Sequence, residues 1–322
     1  MIVLWILAII AGVAAIVWGA ETFAEHLGEA AVRLQVSSFA LALLLAGAEP
    51  EELATTIAAT LRGAPAIAFG DVIGSNIAIC LVALGVGAIV APLPFGKRVM
   101  RYALFSLPIG VAAVGFIWDG QVERLEGAVL VALYVLYIAI IWILERQPPA
   151  LGETGVLEEA AEELAHQEPE KQKSRVGREL LFVVAGLAAM VIGSVMLVEA
   201  VRQITHVEEA QTTLALTVVG FATSFELVIL CWSAARQGAT EVVVAGVVGS
   251  FAYNVTMTLG GAALIRPLSI VDATLLHKPA MAMLAALVLV ILLAAPNNHL
   301  SKAAGGILVA AYPVFVFAML LI

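Results

Sequence analysis

Ten apolar stretches, each about as long as a helix that crosses a bilayer, follow one another along the chain and leave little else. They run roughly over 2–20, 34–61, 66–91, 99–117, 125–144, 179–199, 210–236, 240–265, 273–294 and 301–322. Of the 322 residues, 62% are hydrophobic and 13% charged, and mean hydropathy is +1.04. Soluble domains sit nearer one half and one quarter. These proportions exclude a soluble enzyme, a nucleic-acid binder and a disordered scaffold. They predict an all-α polytopic protein embedded in a lipid bilayer. The first run starts at Ile2 with no basic segment before it, so it reads as a span rather than a cleaved signal peptide.

Only one connection is long. Residues 145–178 carry an acidic run (Glu158, Glu159, Glu162, Glu163) and then a basic one (Lys171, Lys173, Arg175, Arg178), which reads as a solvated linker. Its eight acids and five bases contribute −3 to the net charge of −9, which says little about partners. Placing the loops after spans 1, 3, 5, 7 and 9 on one side collects eleven of the sixteen Lys and Arg residues. Arg62, Arg124, Arg202, Arg266 and Lys278 fall on the other. The excess of basic residues on cytoplasmic loops then puts both termini outside and residues 147–178 in the cytoplasm.

A shift of 175 residues, without a gap, brings unusual positions into register. Glu51 meets Glu226, Gly63 meets Gly238, Gly74-Ser75 meets Gly249-Ser250, Leu84-Gly85 meets Leu259-Gly260, and Pro92-Leu93 meets Pro267-Leu268. Chance matches among Ala, Val and Leu are cheap in such a chain, but a Glu and a Gly-Ser at one shift are not. Each half holds five spans, an odd number, so the halves must insert with opposite orientation. The expected organisation is a five-helix repeat over 1–146, a loop over 147–178 and a second five-helix repeat over 179–322. The chemistry is concentrated at about 40–92 and 215–268.

Two segments at membrane depth carry that chemistry. The first, Leu43 to Leu53, holds Glu49, Glu51 and Glu52 beside Gly47 and Pro50. Ionised residues at the centre of a span cost about 2.5–3.5 kcal/mol each, so three acids are not affordable against lipid. They must face a polar cavity, a cation or a proton. The second segment holds Thr223, Ser224 and Glu226 after Gly220. The following span of each half adds Ser75 and Asn76, or Ser250 and Asn254, the latter pair four residues apart on one helical face.

Gly and Pro in mid-span predict broken helices, whose freed carbonyls are tolerated only where they line a cavity. Carboxylates, hydroxyls, amides and carbonyls form an all-oxygen donor set suited to hard cations such as Ca²⁺. Taken singly, a Gly-Ser pair is usually a packing contact, and a Thr-Ser pair usually bonds to its own backbone. Two related acids, each followed 24 residues later by the serine of a Gly-Ser, are not so easily dismissed. Asp71, whose repeat partner is Gly246, reads as a helix-terminus residue in preference to a secondary ion ligand. Glu21, Glu25 and Glu29 read as a wetted surface at the first connection. Cys80 and Cys231 lie in apolar runs, and His26, His166, His206, His277 and His299 show no metal-ligand spacing.

These two segments resemble the alpha repeats of the calcium/cation antiporter superfamily. Each has a break of the form G-T/S-x-x-P-E or G-N-A-x-E, then a G-S-N/x helix about two dozen residues on. The resemblance extends over essentially the whole chain and is to the prokaryotic sodium/calcium type, with some features of proton/cation exchangers. It implies two inverted five-helix repeats, ten transmembrane helices with breaks at the midplane, and alternating access driven by Na⁺ or H⁺ that expels Ca²⁺ through the prokaryotic cell (inner) membrane. It implies transported Ca²⁺ and Na⁺ or H⁺ as substrates, with no cofactor and no catalytic residue.

By that resemblance Glu51 or Glu52, with Glu226, holds the divalent ion. Ser75, Ser250, Asn254, Thr223, Ser224, Asn76 and Glu49 complete the set. Counting by the sodium/calcium pattern selects Glu52; counting by the proton-exchanger pattern or the internal repeat selects Glu51. Ala48 and Glu49 stand where that type has a hydroxyl pair, and Ile79 stands where it has Asn or Asp. A proton-coupled exchanger of another divalent cation would use the same oxygen cluster, as would a cation channel or sensor without coupling. The oligomeric state is not legible in the sequence.

Overall fold

The computed structural model describes residues 2–33, 49–146, 176–238 and 241–320. Eight of its helices are long and apolar enough to cross a membrane, and nine if a bent pair is taken as one span. The expected span 34–61 is represented by α2 (Pro50–Leu61), following α1 (Ile2–Arg33); residues 34–48 lie outside the described residues, as does nearly all of the acidic and basic loop. α1 is longer than its apolar run. Its 32 residues extend about 48 Å, so Glu21, Glu25 and Glu29 stand on a continuing helix and not in a connection.

Prolines set the starts of the next two helices. α2 and α3 (Pro65–Ala78) each begin on a proline, whose fixed φ suits the first turn and whose missing N–H costs nothing there. α3 runs through a π-helical turn, Ile79–Ala83, into α4 (Leu84–Val90). Then come β1 (Leu93–Pro94), α5 (Lys97–Ile117), β2 (Gln121–Val122) and α6 (Arg124–Glu145).

After the undescribed loop, α7 (Val176–Ile204) leads to α8 (Glu208–Leu214), a second π turn (Ala215–Val219) and the short α9 (Gly220–Thr223). The chain bends by 42° before α10 (Phe225–Gln237), where the sequence places a break. α11 (Glu241–Tyr253), a third π turn (Asn254–Thr258) and α12 (Leu259–Ile265) follow, then β3 (Leu268–Ser269), α13 (Thr274–Ala294), β4 (His299–Leu300) and α14 (Lys302–Leu320).

The 175-residue shift recurs in features that did not suggest it. α2 and α10 begin at Pro50 and Phe225; two π turns begin at Ile79 and Asn254; α4 and α12 begin at Leu84 and Leu259. Both α2 and α10 end in a left-handed glycine, Gly63 (φ 65) and Gly238 (φ 88), where a side chain would be strained. The strands pair reciprocally between the halves, β1 with β4 and β2 with β3, both antiparallel. These two-residue ladders are a small departure from an all-α chain.

Among the described spans, 65–90 and 243–265 are the most buried and form the centre of the bundle. α1 and α7 pack along each other antiparallel, Gly12 opposite Gly193 and Gly19 opposite Gly186; a Cβ on Gly12 would lie 2.8 Å from the Gly193 carbonyl oxygen. Large side chains such as Leu125, Ile143 and Phe317 point outward. That surface suits lipid and would aggregate in water.

Candidate cation site

The site lies where α2, α3 and the α9–α10 break meet the third π turn. Glu49 precedes α2, and Glu51 and Glu52 occupy its first turn, where the positive end of the helix dipole favours negative charge. Glu49 is 2%, Glu51 4%, Glu52 0% and Asp71 0% exposed. Glu226 occupies the first turn of α10, the repeat equivalent of Glu51, and is also buried. No Lys or Arg is found among the buried polar side chains of the described residues. Ionised carboxylates gathered in a buried, apolar setting are costly unless their charge is offset, which a bound cation or protons can do.

Both oxygens of Glu52 are buried without a hydroxyl, amide or guanidinium donor among the described residues. The carboxyls of Glu49 and Glu51 stand within reach, and the charge of Asp71 acts on it as well. Glu49 is held from the other half of the chain: Asn254 donates through Nδ2 to Glu49 Oε2 at 3.2 Å and points at Ser75 Oγ at 3.5 Å. Thr258 donates to Asn254 Oδ1 at 3.3 Å, which turns the amide nitrogen toward the acid. Asn254 opens the third π turn, which re-aims side chains from a helix interior.

Asp71 corrects the reading of it as a helix-terminus residue. It sits in the middle of α3, fully buried, and joins the halves: Thr56 donates to its Oδ2 and Thr223 to its Oδ1, each at 3.0 Å. The Thr223 hydroxyl has one proton and also lies 3.2 Å from Val219 O, so carboxylate and carbonyl compete for it. The signal was present in the sequence, an acid inside an apolar span, but its lack of a repeat partner hid it. Thr55, which meets Ser194 Oγ at 2.9 Å and ties α2 to α7, carried no signal.

The remaining sequence-selected residues are buried with local partners. Ser224 donates to Gly220 O at 2.6 Å and Ser250 to Gly246 O at 3.3 Å, each within its own segment. Asn76 turns its amide nitrogen toward Met283 Sδ at 3.7 Å, and its Oδ1 has no partner among the described residues. The structure thus joins Glu49, Ser75 and Asn254 in one network and Thr223, Asp71 and Thr56 in another, with Glu51 and Glu52 beside them. Thr56→Val removes a donor from a buried acid. It should cost about 1–3 kcal/mol, read as a lowered melting temperature of the detergent-purified protein, whereas Thr56→Ser should melt like wild type.

A helical bundle made for lipid with a carboxylate-rich centre has the construction of an ion transporter. The chain belongs to the sodium/calcium exchanger protein family, whose sequence profile matches residues 4–143 and 179–321, and with it to the calcium/cation antiporter superfamily of transporters rather than enzymes. It is 28% identical to the inner membrane protein YrbG of Escherichia coli over 69% of this chain and 67% of that one. It is 26% identical to the sodium/calcium exchanger MaX1 of Methanosarcina acetivorans over 90% and 91%. The solved sodium-calcium exchanger NCX_Mj, soaked with Na⁺ and Sr²⁺, shares the fold with a TM-score of 0.62, 21% identity and 98% of both chains covered.

Proposed function

We propose that this integral membrane antiporter expels Ca²⁺ in exchange for Na⁺ or H⁺, both loads competing for the midplane oxygens. The observation that carries the reading is the group of acids, Glu49, Glu51, Glu52, Asp71 and Glu226, buried within an apolar bundle. Glu52 and Glu226 hold the divalent ion, with Glu51 beside them. Ser75, Ser250, Asn254, Thr223, Ser224 and Asn76 complete the shell, and Asp71 aligns Thr223. Coupling follows from charge: an emptied cluster of carboxylates in low dielectric cannot reorient cheaply, so the carrier crosses occupied or protonated.

The reciprocal strand pairs and the π turns at one shift support ten spans arranged as two inverted five-helix repeats, 1–146 and 179–322. The ion pairs support the orientation with both termini outside and 147–178 in the cytoplasm. Arg62 binds Glu199 at 2.7 Å, Arg202 binds the same acid, and Gly63 adjoins Arg266, which gathers the expected external cations at one end. Arg98 and Arg101 meet Glu145 at the opposite one. The Methanosarcina relative's sodium/calcium exchange and the E. coli relative's inner-membrane location agree with this reading.

Glu49 gives a specific reason to weigh proton coupling. It stands where a hydroxyl pair would serve Na⁺, and it can carry a proton. The test is Ca²⁺ uptake by liposomes under an outward Na⁺ gradient and, separately, under a pH gradient. Uptake is expected under at least one; uptake under neither rejects antiport, and flux indifferent to both gradients makes the protein a channel. If protons drive uptake through Glu49, Glu49→Ser should lose that component by at least about tenfold, one pKa-scale step of 1.4 kcal/mol, while the Na⁺-driven component survives.

A further inference from the structure

The sequence gives the histidines no metal-ligand spacing, yet the fold builds a mixed nitrogen and oxygen cluster far from the midplane. His26 and Glu29 lie three residues apart on one face of α1. Glu179, in the first turn of α7, faces them and is 1% exposed. One ligand atom from each of the three lies within 4.8 Å of the others. We propose that His26, Glu29 and Glu179 bind a divalent transition-metal ion of the Zn²⁺, Co²⁺ or Mn²⁺ kind, clasping the end of α1 to the start of α7.

The surroundings orient the donors. Phe182 stacks on the His26 ring at 4.5 Å and 17°, which fixes the ring plane and aims Nδ1 at the carboxylates. His26 Nδ1 lies 2.6 Å from Glu179 Oε2, while Arg178 Nε takes the other oxygen at 3.8 Å. The ion replaces the proton shared between Nδ1 and Oε2, with the ring proton on Nε2. Metal–ligand bonds of about 2.0–2.2 Å require the pair to open to about 3 Å, a side-chain adjustment.

Two carboxylates and a neutral imidazole balance a divalent charge. The imidazole favours borderline metals over Ca²⁺, which takes oxygen. Three protein ligands leave positions for water, so the site need not be closed.

The assignment does not rest on the transport reading, and its test measures binding. Untagged protein is held in detergent with excess Ca²⁺ and titrated with Co²⁺, followed by ligand-field absorption and displaced with Zn²⁺. One Co²⁺ per chain is expected. His26→Gln and Glu179→Gln should raise half-saturation by more than about 100-fold, beyond the 10–100-fold typical of losing an outer-shell partner. Because Glu179 is buried and its variant could misfold, Glu29→Gln on the half-buried face serves as the second probe. It should weaken Co²⁺ by at least about tenfold and abolish the Zn²⁺-induced rise in melting temperature. Unchanged Co²⁺ binding in His26→Gln and Glu29→Gln, or binding lost instead in Glu52→Gln, overturns the proposal, as does no stoichiometric binding.

Discussion

Glu52→Gln is expected to reduce Ca²⁺ uptake at sub-saturating Ca²⁺ by at least about 100-fold, with the protein still folded and membrane-inserted. The amide keeps the volume and removes the charge. Breaking a buried ion pair by removing one partner costs about 3–5 kcal/mol, and about 1.4 kcal/mol is a factor of ten. Folding should survive because both Glu52 oxygens lack a donor among the described residues, so the substitution breaks no hydrogen bond from a described hydroxyl or amide. Glu226→Gln should fall equally far. Uptake measured in liposomes for Glu51→Gln beside Glu52→Gln decides between the two adjacent acids. Normal transport by Glu52→Gln with loss in Glu51→Gln transfers the role to Glu51, the residue in register with Glu226, and normal transport by all three variants removes the site.

Gly74→Ala should cripple the same site by a different route. α3 crosses the second π turn at Gly74 with no space between the backbones: a Cβ there would overlap the backbone of Leu216, and one on Gly220 would overlap Gly74 and Ser75. Neither neighbour is a flexible side-chain end, so the two segments that carry Ser75, Thr223 and Asp71 must separate. Overpacking costs about 1–3 kcal/mol, and displacement of the oxygens should raise half-saturating Ca²⁺ by at least about tenfold.

Gly127→Ala is the control. Its Cβ would lie 2.8 Å from Gly260 O where α6 crosses α12, with similar crowding but no site residue among its nearest neighbours. It should lower the melting temperature to a similar extent and leave half-saturation unchanged. A Gly74→Ala protein with wild-type Ca²⁺ dependence would falsify the idea that this crossing sets the site geometry.

Much of the fold was legible because a bilayer admits few solutions. Apolar length gave most of the spans, Pro50 marked a break, where α2 begins, and the Glu51–Glu226 register gave the alignment along which two π turns and β1 with β3 later fell. The ends of helices were less legible. α1 continues through Glu21, Glu25 and Glu29 because a helix needs no apolar residues once it leaves the hydrocarbon, and hydropathy stops where lipid stops. Segment 34–48, which contains Gly47, lies outside the described residues.

By itself the sequence determined the solvent and the chemistry: a lipid environment, and a small set of acids too costly to face it. Only the tertiary structure decided which oxygens meet. Asp71 has no counterpart at Gly246, yet it binds Thr56 and Thr223 because α3 passes between segments 15 residues before it and 152 after it. Asn254 reaches Glu49 across 205 residues, and Glu179 reaches His26 across 153. Side-chain hydrogen bonds act over about 3 Å, and nothing in one-dimensional spacing encodes a contact between faces that only packing brings together.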